Sequence, residues 1–438
     1  MRMPWADFPL CQNRRQRRCR RHLAALLLAA LASPMPDARA QLIESAYPRD
    51  VPGFDAAAGV SVTSRIQTDT AWQTIPLGAE LLHPEVKEST GYDSAVLPGQ
   101  RPSWSTTTAP SVTLTSADGG TTLGAVASAA NTRYLQAPDQ STTDWTAALG
   151  ASFDLADCRV TAAVAHLALH ETDTGLDAAA YDTPLPYQVD ALRLSGLSPP
   201  ARLVLEPSFH LTRFTFGTTA IGGLPAPQSY RDRLVGELGL TLSYGIMGFS
   251  DPNRLQLILR GAGAHYPNET FGQPPRDFIG GAVLLGVEHD LDGIWGWRIA
   301  MGLGTRVYSQ PYLDQTVPLA EMALTWQPSA RTTWHAAVVR KIEDAQEDGV
   351  GGYVATIGGL AVDHELDRHL ILHIGSDIER ATYAAGPAQT IVSGRAGVLW
   401  LVNAMLRLGA DMTVSSHHGF TAAPYDENAF LLSVTAGL

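Results

Sequence analysis

Leu406-Arg407-Leu408-Gly409-Ala410-Asp411-Met412-Thr413-Val414 alternates without a break. In an extended chain successive side chains point to opposite faces. Leu406, Leu408, Ala410, Met412 and Val414 then share one face, and Arg407, Gly409, Asp411 and Thr413 share the other. A period of two scatters apolar residues all around a 3.6-residue turn, so a helix fails here. Arg233 to Tyr244 repeats the pattern, with Leu234, Gly236, Leu238, Leu240 and Leu242 against Arg233, Glu237, Thr241 and Ser243.

Outward from these two stretches, segments of roughly ten residues recur along the chain. They begin near 58–70, continue with 105–116 and 122–134, and end with 403–415 and 428–438. Eighteen segments are expected, with sixteen as the other count. The connections support a barrel. Asp118-Gly119-Gly120, Ala156-Asp157, Pro328-Ser329-Ala330 and Leu401-Val402 read as short periplasmic turns. The alternate connections 71–104, 171–184, 216–229, 267–276 and 416–427 read as longer external loops, 71–104 being long enough to plug a pore. Short and long connections in turn are expected of outer-membrane barrels. Aromatic residues fall at both ends of the segments: Tyr134, Trp145, Tyr230, Tyr266, Phe278, Tyr308, Tyr353, Tyr383 and Phe430 externally, and Tyr244, Trp297, Trp326, Trp334 and Trp400 on the periplasmic side. Two interfacial girdles are the expectation. Unpaired backbone groups are costly in hydrocarbon, so the last segment, Phe430 to Leu438, should pair with the first and close the sheet.

The N-terminal end implies export. Arg14, Arg15, Arg17, Arg18, Arg20 and Arg21 precede an apolar run from Leu23 to Ala32, and Ala38-Arg39-Ala40 offers small residues for cleavage. That is a secretory signal over 1–40, too short in its apolar part to span a bilayer as a helix. The domain expectation is therefore signal peptide 1–40, N-terminal periplasmic segment 41–57 and barrel 58–438. Residues 1–40 hold eight Arg and two Asp, which leaves 23 basic and 41 acidic side chains and a net charge of −18. Such a surface excludes nucleic acid as a natural partner. Only Cys158 remains of the three cysteines, so neither an internal disulfide nor a Cys-rich metal site can form. Charged residues are scarce at 17%, as an alternating lipid-facing and lumen-facing wall requires.

On this alternation the lumen carries Glu206, His210, Arg233, Glu237, Gln256, Arg260, Arg298, Arg306, Glu321, His373, Asp377, Glu379, Arg395, Arg407 and Asp411. Two readings fit them: a paired ladder that keeps the wall hydrated and rigid, or a pore that selects solutes by charge. No catalytic residue, metal site or cofactor is proposed by any motif. His166 and His170 share a strand face but lie roughly 13 Å apart. His417-His418 sits at an external loop near Asp411 and Asp426, which leaves a rim hydrolase as a third reading. No Gly-x-Ser-x-Gly elbow and no phosphate loop is present.

The C-terminal half carries a resemblance. Trp326-Gln327-Pro328 through Ile342-Glu343-Asp344, then Val362-Asp363-His364-Glu365-Leu366-Asp367-Arg368-His369-Leu370, and finally Tyr425-Asp426-Glu427-Asn428 with its alternating strand, resemble the outer-membrane porin family labelled "β-barrel porin 2". The resemblance covers roughly 230–438, with 55–230 agreeing by pattern and Pro48-Arg49-Asp50-Val51-Pro52 standing for a longer Pro-rich stretch. It implies an outer-membrane barrel in a Gram-negative bacterium, a porin-like channel or an export conduit for surface polysaccharide. Its implied partners are the lipid bilayer, the barrel-assembly machinery and periplasmic polysaccharide-export components. The alternative is a non-conducting structural or adhesive barrel plugged by 71–104.

Overall fold

The structure is a computed structural model that describes residues 46–48, 50–54, 72–97, 101–118, 120–155, 157–172, 175–177, 181–248, 252–268, 276–290, 293–309, 312–345, 350–384, 386–419 and 424–438. The expected signal peptide and the expected strand 58–70 lie outside them. Among the described residues no helix is long and apolar enough to cross a membrane.

Eighteen long strands close into one antiparallel barrel. In chain order they are β1 (Glu80–Asp93), β2 (Ser103–Asp118), β3 (Thr121–Tyr134), β4 (Thr142–Leu155), β5 (Cys158–Glu171) and β6 (Leu185–Leu197). Then come β7 (Leu203–Phe216), β8 (Arg233–Gly245), β9 (Asn253–His265), β10 (Phe278–His289), β11 (Trp295–Tyr308) and β12 (Gln315–Ser329). The last six are β13 (Thr332–Asp344), β14 (Gly352–Asp367), β15 (Leu370–Tyr383), β16 (Gln389–Asn403), β17 (Leu406–His418) and β18 (Tyr425–Gly437). Every strand pairs with its sequence neighbour, and β18 pairs with β1 from Gly437 opposite Glu85 to Ala429 opposite Asp93. No edge is left, which is what a wall in hydrocarbon demands.

The eighteen-strand expectation holds, but its first strand was misplaced. The expected loop 71–104 is not a loop: β1 runs through it, and the first external connection is only Ser94–Pro102. The plug assigned to 71–104 is therefore corrected. Pro84 lies inside β1 at the point where the ladder to β18 runs out. Its carbonyl accepts the amide of Leu438, the final residue.

Short turns gather at one rim, called here the turn end. Gly120 (φ +99°) and Asp157 (φ +71°) take the left-handed conformations that two of these tight reversals need. Longer connections gather at the opposite rim, the loop end. In outer-membrane barrels the turn end is periplasmic.

The alternation sorts the wall cleanly. Leu238, Leu285, Leu303, Ile374 and Ile378 are among many large apolar side chains that stand exposed, all on one face of their strands. A folded protein in water rarely leaves so continuous an apolar band uncovered. It is the lipid-facing surface. Trp295, Trp400 and Tyr244 stand exposed, and Trp326 half-buried, on that same face at the turn end. Trp295 stacks on Trp326 at 5.1 Å, and Trp326 stacks on Trp334 at 6.3 Å. The periplasmic girdle exists as expected.

The external girdle is partial: Tyr92, Trp104, Trp145 and Phe430 stand exposed on the outer face at the loop end, between β18 and β4. Tyr266, Phe278, Tyr308, Tyr353 and Tyr383 are buried and lie on the inward parity of their strands. Level along a strand and side of a strand are separate variables, and only the first was read from the sequence. These rings pack into clusters that narrow the mouth from within.

Candidate functional site

The inner face of the barrel is built from the residues opposite the exposed apolar band, and it is uneven. On β2 to β5 it is almost uncharged and small: Ser105, Thr107, Ala109 and Ser111, then Gly124 and Val126, then Ala148 and Gly150, then Ala163 and Ala165. From β7 to β18 it is studded with ionisable groups. Every lumen residue named from the sequence falls on this inward parity.

Most of them are brought together in pairs across strands. Glu321 of β12 accepts from Arg298 of β11 at 3.1 Å and from Arg260 of β9, whose two terminal nitrogens both contact it. This triad lies above an apolar floor of Ile258, Leu284 and Ala300, with Leu284 0% exposed. Arg395 meets Asp377 at 2.5 Å, His210 meets Glu237 at 3.5 Å, and His373 lies 3.9 Å from Asp411. Arg407 lies face-on over the ring of Trp72 at 3.7 Å. Gln256 donates to Glu288 and, at 3.3 Å, to Ser243. Glu206 faces inward beside Thr241, and Glu379 is buried at the loop end.

Asp344, at the loop end of β13, was missed by sequence reasoning. It meets Arg306 of β11 at 2.5 Å and Arg233 of β8 at 3.3 Å. Both guanidiniums also lie over rings, Arg306 on Phe278 at 4.2 Å and Arg233 on Phe214 at 4.1 Å. Cation–π contact and ion pairing act together here, so the loop-end mouth is a rigid Arg–aromatic layer.

Two further segments occupy the lumen. The first is 46–48 and 50–54, the described part of the expected periplasmic segment 41–57, which lies inside the barrel rather than below it. Val51-Pro52-Gly53-Phe54 forms a type II turn, with Pro at its second position, Gly53 at φ +91° and the Phe54 amide donating to Val51 O at 3.0 Å. Tyr47 stacks on Phe54 at 4.8 Å, and Arg193 of β6 covers both rings at 4.4 and 4.9 Å. Val51 is 0% exposed. The uncharged wall makes this docking possible: Gly124 and Gly150 leave room for the backbone of residues 50–52 to touch the sheet.

The second is the described part of the β5–β6 connection, 172, 175–177 and 181–184, which reaches across the mouth. Leu176 packs among Ala345, just past β13, and Tyr353, Ala355, Ala381, Tyr383 and Ile391, on β14 to β16. The Asp177 amide donates to Gln389 Oε1 at 2.7 Å, and the Tyr383 hydroxyl donates to the Asp177 carboxylate. Those strands stand opposite β5 in the ring. The roots of the loop are held by one buried group: Arg231 meets Glu171 at 2.9 Å and donates to the Tyr181 hydroxyl at 2.6 Å.

Asp50 gives the inner segment a pH response. Burial, and then the nearby Glu85 carboxylate, push its pKa from 3.8 to about 6, with His83 opposing. A carboxyl whose pKa is raised by docking favours the docked state when protonated. Docking is therefore firmest below about pH 4 and weakens as the pH rises through about 6. Limited proteolysis should cut 46–54 faster at neutral pH than near pH 5, and Asp50→Asn should abolish the difference. Equal cutting at both pH values in the parent would refute it.

The enzyme reading gains little. His417 and His418 are neighbours on β17 and so face opposite ways, with His417 stacked on Tyr425 at 4.3 Å inside. On the outer rim Ser416 Oγ donates to Asp426 at 2.7 Å and lies 3.2 Å from His418 Nε2. A nucleophile needs its proton held by the imidazole and the carboxylate behind that imidazole. Here the carboxylate takes the hydroxyl proton directly. Among the described residues no cluster of His, Cys, Asp and Glu could hold a metal.

A family model described as "Putative beta-barrel porin 2" matches residues 73–437. The chain belongs to this family. It is a porin-like barrel of the Gram-negative outer membrane. Among solved structures, this porin is similar to the outer membrane protein opdK from Pseudomonas aeruginosa: 10% identity, 82% of this chain and 99% of that one, TM-score 0.43. The BenF-like porin from Pseudomonas fluorescens Pf-5 is similar at 12% identity, 83% of this chain and 100% of that one, TM-score 0.45. The FrpB iron transporter from Neisseria meningitidis is similar at 7% identity, 81% of each chain, TM-score 0.43. A search of curated proteins returns no match. Likenesses so remote say nothing about cargo.

Proposed function

We propose that this porin is a closed conduit for hydrophilic solutes, with a passage along the charged sector of the lumen from β7 to β18. The observation that carries the reading is the asymmetry of the wall: 46–54 covers the small, uncharged sector, while the ion-paired sector is left facing the interior. Paired charges cancel over a few ångströms, so the wall offers many hydrogen-bond donors and acceptors with a weak net field. A hydroxyl-rich chain suits such a wall, which supports surface polysaccharide as cargo alongside the family resemblance. An export role would also require periplasmic components that deliver the polymer to the turn end.

The second reading is a structural barrel that does not conduct. Val51, 0% exposed in the lumen, and Leu176, docked on the far wall, favour it. Planar-bilayer conductance separates the two. The parent protein should open rarely, and a variant lacking 46–54 and shortened at 172–184 should conduct steadily. A folded barrel that stays silent with both segments removed would leave only the structural reading.

A further inference from the structure

At the loop end the outer wall of β13 to β16 carries no aromatic residue, because the rings at that level turn inward. A transverse row of polar side chains stands there instead. Arg340 pairs with Thr356, Thr356 with Arg380, and Arg380 with Thr390 across four neighbouring strands. All four are on the lipid-facing parity, since the next outward residues toward the turn end on β13, β15 and β16 are the exposed Val338, Ile378 and Val392. One apolar pair, Ile342 opposite Val354, lies beyond the row on β13 and β14, and Thr382 follows on β15, so the row sits near the loop-side border of the apolar band.

Two features make the row more than a chance of composition. Arg340 is held in place, donating from Nε to Pro318 O at 3.1 Å and from Nη1 to Thr356 Oγ1 at 2.8 Å. Arg380, on the other side of the same threonine, is exposed. Among the described residues no carboxylate lies in the row. A second outward row, on β5 to β7, shows the contrast: there His166 meets Asp190 at 2.7 Å, and Asp190 lies directly opposite Arg213, so the charge is answered within the wall.

We infer that the Arg340–Thr356–Arg380–Thr390 row binds the phosphorylated headgroup of a lipid in the outer leaflet. Two guanidiniums flanking a hydroxyl supply forked donors to phosphate oxygens. A cation at the border of hydrocarbon is stable where an anionic headgroup meets it and costly where none does. The acyl chains of the same lipid would lie on Val338, Leu360, Ile378 and Val392 below. The site rests on the outer wall alone and is independent of what passes through the lumen.

The test uses the full-length folded barrel in neutral detergent, titrated with a bis-phosphorylated glycolipid and read by native mass spectrometry. The parent should retain the lipid, and Arg340→Gln with Arg380→Gln should retain on the order of tenfold less. Arg213→Gln should change nothing. Heat-modifiable migration confirms that each variant has folded. Equal retention by the double variant, or equal retention of the dephosphorylated glycolipid, would overturn the inference. Displacement of the lipid by inorganic phosphate would overturn the lipid as source and leave a free-phosphate site.

Discussion

Replacing Gly150 by alanine should expel residues 50–54 from the lumen, widen the passage and raise the fraction of time that the barrel conducts. A Cβ at Gly150 would stand 2.1 Å from Pro52 O and 2.7 Å from Val51 Cγ1. The first is a backbone atom inside a tight turn and cannot step aside as the tip of a flexible side chain could. Overpacking of this kind costs about 1–3 kcal/mol, which lowers the docked-to-free ratio by roughly ten- to a hundredfold. The strand that receives the methyl group should not suffer, since alanine is no worse than glycine in a strand interior. Single-channel recording should therefore show a higher open fraction, with heat-modifiable migration unchanged. Gly261→Ala is the control, because nothing lies within 4 Å of its Cβ position. If Gly150→Ala leaves conductance at the parental level while proteolysis shows 46–54 released, that segment is not what closes the barrel.

Arg231→Met should free the loop 172–184 from the mouth. Arg231 and Glu171 are 5% and 6% exposed, and the guanidinium also lies 4.4 Å over Phe216. Removing one partner of a buried ion pair leaves a charge without compensation and costs about 3–5 kcal/mol. The loss falls on the loop, because Glu171 ends β5 at its root and Tyr181 lies near its far end, and Arg231 holds both. Protease nicking within 172–184 should rise more than about a hundredfold, while the barrel stays closed as a sheet. Adding Glu171→Gln should restore much of the protection. Nicking that stays at the parental rate would mean that Leu176 and Asp177, on the far wall, hold the loop unaided.

Strand content was written plainly in the alternation, and boundaries less so. The stretch Leu406–Val414 lies wholly inside β17, yet the turn before it was placed at Leu401-Val402 and falls instead between Asn403 and Leu406. Asn403 makes the reversal, its side-chain carbonyl accepting the amide of Met405 at 2.7 Å, a local device visible in the sequence once the residue type is weighed. β1 escaped because Leu81-Leu82 and Pro84 break the period. The inward charges could be named from parity alone, since one residue of slip would move all of them to the lipid. Their partners could not: Glu321 reaches Arg260 over two intervening strands, and Asp344 meets Arg233 from five strands away. The occupation of the lumen by 46–54 was hidden for a similar reason. Val51-Pro52-Gly53-Phe54 announces a turn, whereas the glycines that receive it lie on β3 and β4.

A ring of hairpins still has one joint that no hairpin makes. Seventeen of its seams join strands adjacent in the chain, and the one between β1 and β18 joins Glu85 to Gly437. Its closure entropy grows only with the logarithm of the intervening length, so the joint is affordable; its timing is what differs. Until that joint forms, β1 and β18 are each paired on one side only, and hydrocarbon penalises both unpaired edges. Closing this joint removes both edges at once, and a chain lacking its last dozen residues would lose nearly all of β18, its seams to β17 and to β1 together, and could not close in this way.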